Sequence, residues 1–189
     1  MKRFALLMLV VLCLGLPAFA QDVPKAEVFG GFSLLHLSAG GELKPKGWQA
    51  SGAYNFHKAV GIVLDTGAQY QIESGFRQHV YEYLIGPRYN IRQDNVTYFI
   101  DTFAGGLYFS AKDKSTPPNK FHENDFLLAI GGGVDVKAGP VKIRVFQFDW
   151  LPARSFAKKT AAGTVIERAR WDKGVSRWGF GVVYPFGKK

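Results

Sequence analysis

Residues 21–189 are predicted to form an all-β domain, an eight-stranded antiparallel up-and-down transmembrane β-barrel. Three observations predict it. Apolar residues recur at every second position along eight stretches. The connections between those stretches alternate long and short, and aromatic residues gather at the stretch ends. Composition agrees: 22 glycines, 16 phenylalanines and 8 tyrosines stand against one cysteine and two methionines, which suits strands and turns and excludes a disulfide framework or a helical bundle. At 189 residues and 47% hydrophobic, the chain is too apolar for disorder and too short for a multidomain enzyme.

The first element, residues 1–20, is read as a signal peptide. Lys2-Arg3 precedes an apolar run from Phe4 to Leu16, and Ala18-Phe19-Ala20 supplies an Ala-x-Ala cleavage site. The run of about 13 residues falls short of the roughly 20 that a spanning helix needs. Cys13 leaves with it. Removing Lys2 and Arg3 from 24 basic side chains leaves 22 against 15 acidic ones, a net +7 for the exported chain. That charge calls for an anionic partner, and export makes it a lipid head group rather than nucleic acid.

The strands follow in order. Ala26 to Leu37 opens the set. Trp48, Ala50, Gly52, Tyr54 and Phe56 then alternate with Gln49, Ser51, Ala53 and Asn55. Val60, Ile62, Leu64, Ala68 and Tyr70 oppose Gly61, Asp65, Gly67 and Gln69, and from His79 to Ile91 the apolar set Tyr81, Tyr83, Ile85, Tyr89 opposes Glu82, Gly86, Arg88 and Asn90. Val96 to Ser110 sets Tyr98, Ile100, Ala104 and Tyr108 against Thr97, Asp101 and Gly105, with Phe99, Phe103 and Leu107 on the polar parity. Phe126 to Val136 opposes Ala129, Gly131, Gly133 and Asp135, and Trp178 to Phe186 opposes Arg177, Gly179 and Gly181. Val141 to Leu151 does not fit one parity, because Arg144 and Asp149 fall on opposite faces, which predicts a bulge.

Long connections are predicted at 38–47, 71–78, 111–123 and 152–173, and short ones at 57–58, 92–95 and 137–140. Short turns belong on the periplasmic side of such a barrel and long loops outside. The long loops hold twelve basic side chains against six acidic ones, nearly the whole net charge. Within them Lys112, Lys114, Lys158, Lys159, Arg168 and Arg170 are candidate contacts for lipid head groups, notably lipopolysaccharide phosphates.

An eight-stranded barrel is just wide enough for side chains to fill. Asp65, Glu82, Arg88, Asp101 and Asp135 lie on the inward parity and are expected to form a polar lumen network, with Arg88 as the counter-ion and Asp101 within its reach. The glycines at 131–133 sit inside a strand with no helix after them, so they read as room for lumen side chains rather than a phosphate loop. His57, His79 and His122 fall in separate turns or loops without metal-ligand spacing, so no metal and no cofactor is expected. His36 and Ser38 form a His-x-Ser pair without a third group, and no catalytic residue is assigned.

With these residues in view, the chain resembles the small bacterial outer-membrane β-barrel domain family, the OmpA-like eight-stranded barrels. The likeness rests on Glu27-Val28-Phe29-Gly30-Gly31-Phe32, Gly47-Trp48-Gln49-Ala50-Ser51, Tyr83-Leu84-Ile85-Gly86-Pro87-Arg88, and Gly131-Gly132-Gly133-Val134-Asp135-Val136 with Ile143 to Asp149. Gly181-x-x-Tyr184-x-Phe186 is similar to the aromatic signal read by barrel-assembly machinery, which implies that machinery as a partner through Tyr184 and Phe186. The resemblance implies the bacterial outer membrane, a monomer, and a non-enzymatic structural or surface-interaction role. A narrow ion or small-solute pore is the alternative, and a lipid A-modifying enzyme using His36 and Ser38 the next.

Overall fold

The computed structural model describes residues 23–37, 44–73, 76–112, 120–155, 160–161, 164–165, 171–172 and 174–188; the predicted signal segment 1–20 lies outside them. The strands are β1 (Pro24–Leu37), β2 (Lys46–Asn55), β3 (Val60–Glu73), β4 (Phe76–Arg92), β5 (Val96–Lys112), β6 (Lys120–Ala138), β7 (Val141–Trp150), β8 (Ala153–Ser155), β9 (Thr160–Ala161), β10 (Thr164–Val165), β11 (Trp171–Asp172) and β12 (Val175–Lys188). Each of β1 to β7 pairs antiparallel with its neighbour in sequence, β7 pairs β12, and β12 pairs β1 from Pro24↔Lys188 to Leu37↔Val175. These eight strands close a barrel, which leaves no open sheet edge within the closed section. In hydrocarbon that closure is required, because each unpaired backbone group there costs several kcal/mol.

Alternation decides which side chains enter. In β2, Gln49, Ser51, Ala53 and Asn55 are buried while Trp48, Gly52 and Tyr54 are exposed. In β5, Phe99, Phe103 and Leu107 keep the inward parity and are buried beside Asp101. The large exposed hydrophobics, among them Val28, Leu64, Tyr83, Ile85, Ile100, Ile130 and Phe180, face outward and form an apolar band. From Tyr70 to Ile62 on β3, or Tyr81 to Tyr89 on β4, that band covers nine residues, eight steps or about 26 Å of strand. At a barrel tilt of about 40° this is a height of about 20 Å, the greater part of the roughly 25 Å apolar band of a transmembrane barrel.

The bulge lies where the parity fails. Asp135 pairs Arg144 but Val134 pairs Phe146, so Val145 is the extra residue, and on the other side Gly179 pairs Gln147 while Gly181 pairs Arg144. Val145 and Phe146 are both exposed, at 54% and 42%. Arg144, Gln147 and Asp149 therefore all point inward.

Three turns are tight. His57 and Val60 exchange backbone hydrogen bonds of 3.1 and 3.3 Å around Lys58-Ala59, Gln93 and Val96 bonds of 2.7 and 3.2 Å around Asp94-Asn95, and Gly139 takes φ 66° in the turn before Pro140. The opposite end differs from expectation. β3 runs to Glu73 and β4 starts at Phe76, so the predicted long connection 71–78 is mostly strand, and β5 and β6 likewise extend to Lys112 and from Lys120. Above the bilayer water reaches both faces of a strand, so polarity there does not mark a loop. β8 and β11 add to the protruding end of β6, and β9 with β10 forms a separate pair.

Candidate functional site: the polar lumen and the loop end

The middle of the lumen is organised by Arg177. Its Nη1 donates to Asp65 Oδ1 and Glu82 Oε2, both at 2.7 Å, and its Nε and Nη2 donate to Asp149 Oδ2 at 3.0 and 2.7 Å. Gln49 Nε2 donates to Asp65 at 2.7 Å and Gln147 Nε2 to Asp149 at 2.8 Å. Toward the tight turns Arg144 grips Asp135 with Nε at 2.8 Å and Nη2 at 3.1 Å, and its Nη1 reaches Gln147 Oε1 at 2.8 Å. The path Asp135–Arg144–Gln147–Asp149–Arg177–Asp65 is thus continuous. Arg88 forms a two-point pair with Asp101, both contacts 2.7 Å.

Aromatic rings fill what the charges leave. The Arg144 guanidinium lies 4.2 Å from the Phe29 ring centroid and 4.3 Å from that of Phe99, and Arg88 lies 4.3 Å from Phe99. Nearer the turns Glu27 accepts from Lys142 at 2.5 Å, with Asn55 at 3.4 Å. Toward the loop end Leu35, Leu37, Val80, Leu107, Leu127, Leu151 and Val175 close an apolar layer. Gly131 and Gly133 provide the room: a Cβ at Gly131 meets Asp149 Oδ1 at 2.0 Å, and one at Gly133 meets Phe99 Cζ at 2.7 Å.

All five residues expected in the network, Asp65, Glu82, Arg88, Asp101 and Asp135, point inward and are buried. The expected charge pairing is corrected in one respect: Arg88 serves Asp101 among the described ion pairs, whereas Arg177 holds Asp65 and Glu82 and Arg144 holds Asp135. Arg177 stood on the inward parity in the sequence, which marks it as a lumen residue. Arg144 and Asp149 were hidden by the bulge, and Glu27 by a first strand whose alternation Gly30 and Gly31 blur.

At the loop end, Lys112 is the last residue of β5, with a side chain outside the described residues; Lys114, Lys158, Lys159, Arg168 and Arg170 also lie outside them. Ser38 does too, so the pair with His36 has one described member. His79 and His122 are corrected from loop to strand, on outward positions of β4 and β6, where His79 meets Tyr70 edge-on at 5.1 Å and His122 Nδ1 lies 2.8 Å from the Tyr108 hydroxyl. His57 stands in an exposed turn. Tyr184 and Phe186 are exposed at the turn end, their rings 4.6 Å apart. Among the described residues no cluster of His, Cys, Asp or Glu is arranged to hold a metal ion.

No family model matches the chain, and no curated protein matches it by sequence. Among solved structures, Ail, the attachment invasion locus protein of Yersinia pestis in complex with the heparin analogue sucrose octasulfate, aligns with TM-score 0.57 at 19% identity, over 87% of this chain and 99% of that one. Neisserial surface protein A aligns with TM-score 0.59 at 13% identity, over 88% of this chain and all of that one (100%). The fold is that of the small outer-membrane barrels. In the barrel described here, the outward apolar band suits a lipid-facing surface, and the tight turns and the far strand ends lie at its opposite ends.

Proposed function

We propose that this outer-membrane barrel is a non-enzymatic, monomeric surface protein whose filled lumen acts as a rigid support and whose basic loop end contacts phosphorylated lipopolysaccharide. The observation that carries the first half is Arg177, whose guanidinium ties β3, β4, β7 and β12 together across the lumen. A lumen crossed by paired charges and capped by leucines suits a support rather than a conduit. The second half rests on the sequence, where the predicted long loops hold twelve bases against six acids. The Ail structure was determined with a sulfated sugar, and a polyanion of that kind fits a basic loop end here as well. In this reading residues 1–20 direct export and are removed, and Tyr184 and Phe186 engage the barrel-assembly machinery.

The test replaces Lys112, Lys114, Lys158, Lys159, Arg168 and Arg170 together by alanine and measures binding of the refolded barrel to lipid A before and after phosphatase treatment. Weaker binding by the variant, and by wild type to the dephosphorylated lipid, is the expected result. Equal binding in all four arms rejects the proposal.

A further inference from the structure

The outward face of β2 to β6 is ordered by chemistry in four successive ladder rows. The row nearest the loop end is Lys46↔Tyr70↔His79↔Ser110↔His122, every member a hydrogen-bonding group. Beneath it runs Trp48↔Ala68↔Tyr81↔Tyr108↔Asn124, in which the Tyr81 and Tyr108 rings are 6.2 Å apart and Tyr70 stands edge-on to Tyr81 at 6.3 Å. The third row, Ala50↔Thr66↔Tyr83↔Gly106↔Phe126, and the fourth, Gly52↔Leu64↔Ile85↔Ala104↔Leu128, combine small and apolar residues.

The lower two rows from β2 to Ala104 on β5, with Val28, line a groove of about 700 Å³ in the outward wall. Its floor is low because Ala50, Thr66 and Ala104 are short and a Cβ at Gly52 meets nothing within 4 Å. Tyr83 lies flat on Gly106, where a Cβ meets its Cζ at 2.4 Å. The facing wall, β7, β12 and β1, is different. There Phe148, Trp178, Phe180 and Phe32 stand outward, and its described outward positions from Val28 to His36, Ile143 to Trp150 and Ser176 to Tyr184 include no lysine or arginine.

We propose that the β2–β5 face seats one molecule of phosphorylated, multiply acylated saccharolipid from the outer leaflet, an acyl chain in the groove and the sugar-phosphate head on Lys46, Tyr70 and His79 of the uppermost row. The inference rests on the outer-membrane reading above but uses residues other than the six bases replaced together in the test of that reading. Charge complementarity supports it: Lys46 and, one step outward, Arg77 stand on this face, and no carboxylate faces outward among the described residues of β2 to β6. Breadth supports it too. Lys46 and His79 are two strands apart, about 10 Å at ordinary strand spacing, a span that one phosphorylated sugar head can bridge. The aromatic row between donors and groove offers ring faces to the sugar plane.

Native mass spectrometry of the refolded full barrel tests this, with bis-phosphorylated lipid A, its dephosphorylated form and phosphatidylglycerol as probes. Three variants are compared with wild type: a filled groove (Gly52→Leu with Ala104→Leu), a stripped head row (Lys46→Ala with Arg77→Ala and His79→Ala), and a facing-wall control (Phe180→Ala with Ser176→Ala). Heat-dependent gel mobility verifies folding of each. The expected result is one retained lipid A on wild type and control, with at least about tenfold weaker retention by the groove and head variants and on dephosphorylation. Undiminished retention by the groove and head variants, equal retention of phosphatidylglycerol, or a mass of two chains that the filled groove abolishes would each overturn it. The six-base loop variant separates the readings. Loss there with full retention by the face variants rejects this seat and leaves the loop contact standing; loss only in the face variants does the reverse.

Discussion

Arg177 on β12 and Glu82 on β4 are joined by a 2.7 Å ion pair, although 95 positions separate them in sequence. The two strands are four apart whichever way one counts around the barrel, so the pair spans a diameter. Asp65 and Asp149 close on the same guanidinium. Three carboxyl groups thus depend on one cation in a site that is wholly buried.

Removing that cation is expected to cost more than any other lumen substitution. Breaking a buried ion pair by deleting one partner destabilises by about 3–5 kcal/mol. Arg177→Ala should lower the urea midpoint of the refolded barrel accordingly, and Arg177→Lys should recover only part, since an ammonium lacks the planar fork that serves three acceptors. Equal midpoints for wild type and Arg177→Ala would show that the network is not structural.

Conductance tests the filled lumen directly. Wild type in planar bilayers is expected to be electrically silent once gel mobility has shown that it is folded. Discrete openings from wild type that change in Arg88→Ala or Arg177→Ala would replace the support reading by the narrow pore.

The glycine at 131 is required for space. Asp149 Oδ1 stands 2.0 Å and the Phe148 carbonyl oxygen 2.5 Å from where a Cβ would lie. Gly131→Ala is therefore expected to destabilise by about 1–3 kcal/mol, in the range of overpacked cores, read as a lower urea midpoint. Gly52→Ala, which meets nothing within 4 Å, should leave the midpoint unchanged.

The bulge at Val145 can be tested by deletion. Without the extra residue, plain alternation runs Arg144 inward, Phe146 outward and Gln147 inward, so Arg144 still faces the lumen opposite Asp135 and only the local kink is lost. The deletion variant should keep the heat-dependent mobility shift of a closed barrel. Loss of that shift would mean that the bend and added twist of the bulge are themselves needed for closure.

Much of this was legible from alternation alone. Gln49, Asp65, Glu82, Asp101 and Arg177 all stand on the inward parity in the sequence, and Tyr54, Tyr70, Tyr81, Tyr89 and Tyr98 on the outward one. Pairing across the lumen was not legible, because period-2 reasoning ranks residues by face and says nothing of which strands meet across a diameter. Arg88–Asp101 was accessible only because they sit on adjacent strands. The loop end was misread for another reason: residues 71–73 and 76–78 are polar strand, and a strand wetted on both faces shows no apolar rhythm. The ordered rows on β2 to β6 needed the register between strands, which fixes His79 beside Tyr70 and cannot be counted along one segment.

The pairing of β1 with β12 bears on how the molecule is made. Closure joins segments some 150 positions apart (Pro24↔Lys188 to Leu37↔Val175), the kind of non-local contact that slows folding. A sheet of β1 to β7 without β12 carries Asp65, Glu82 and Asp149 without their shared cation, and like-charge repulsion is expected to oppose its curling. Arrival of Arg177 removes the repulsion and seals the seam in one event. The same residue that stiffens the finished barrel is therefore expected to act as its latch, and chains lacking it should close more slowly, read as a longer protease-sensitive phase during refolding.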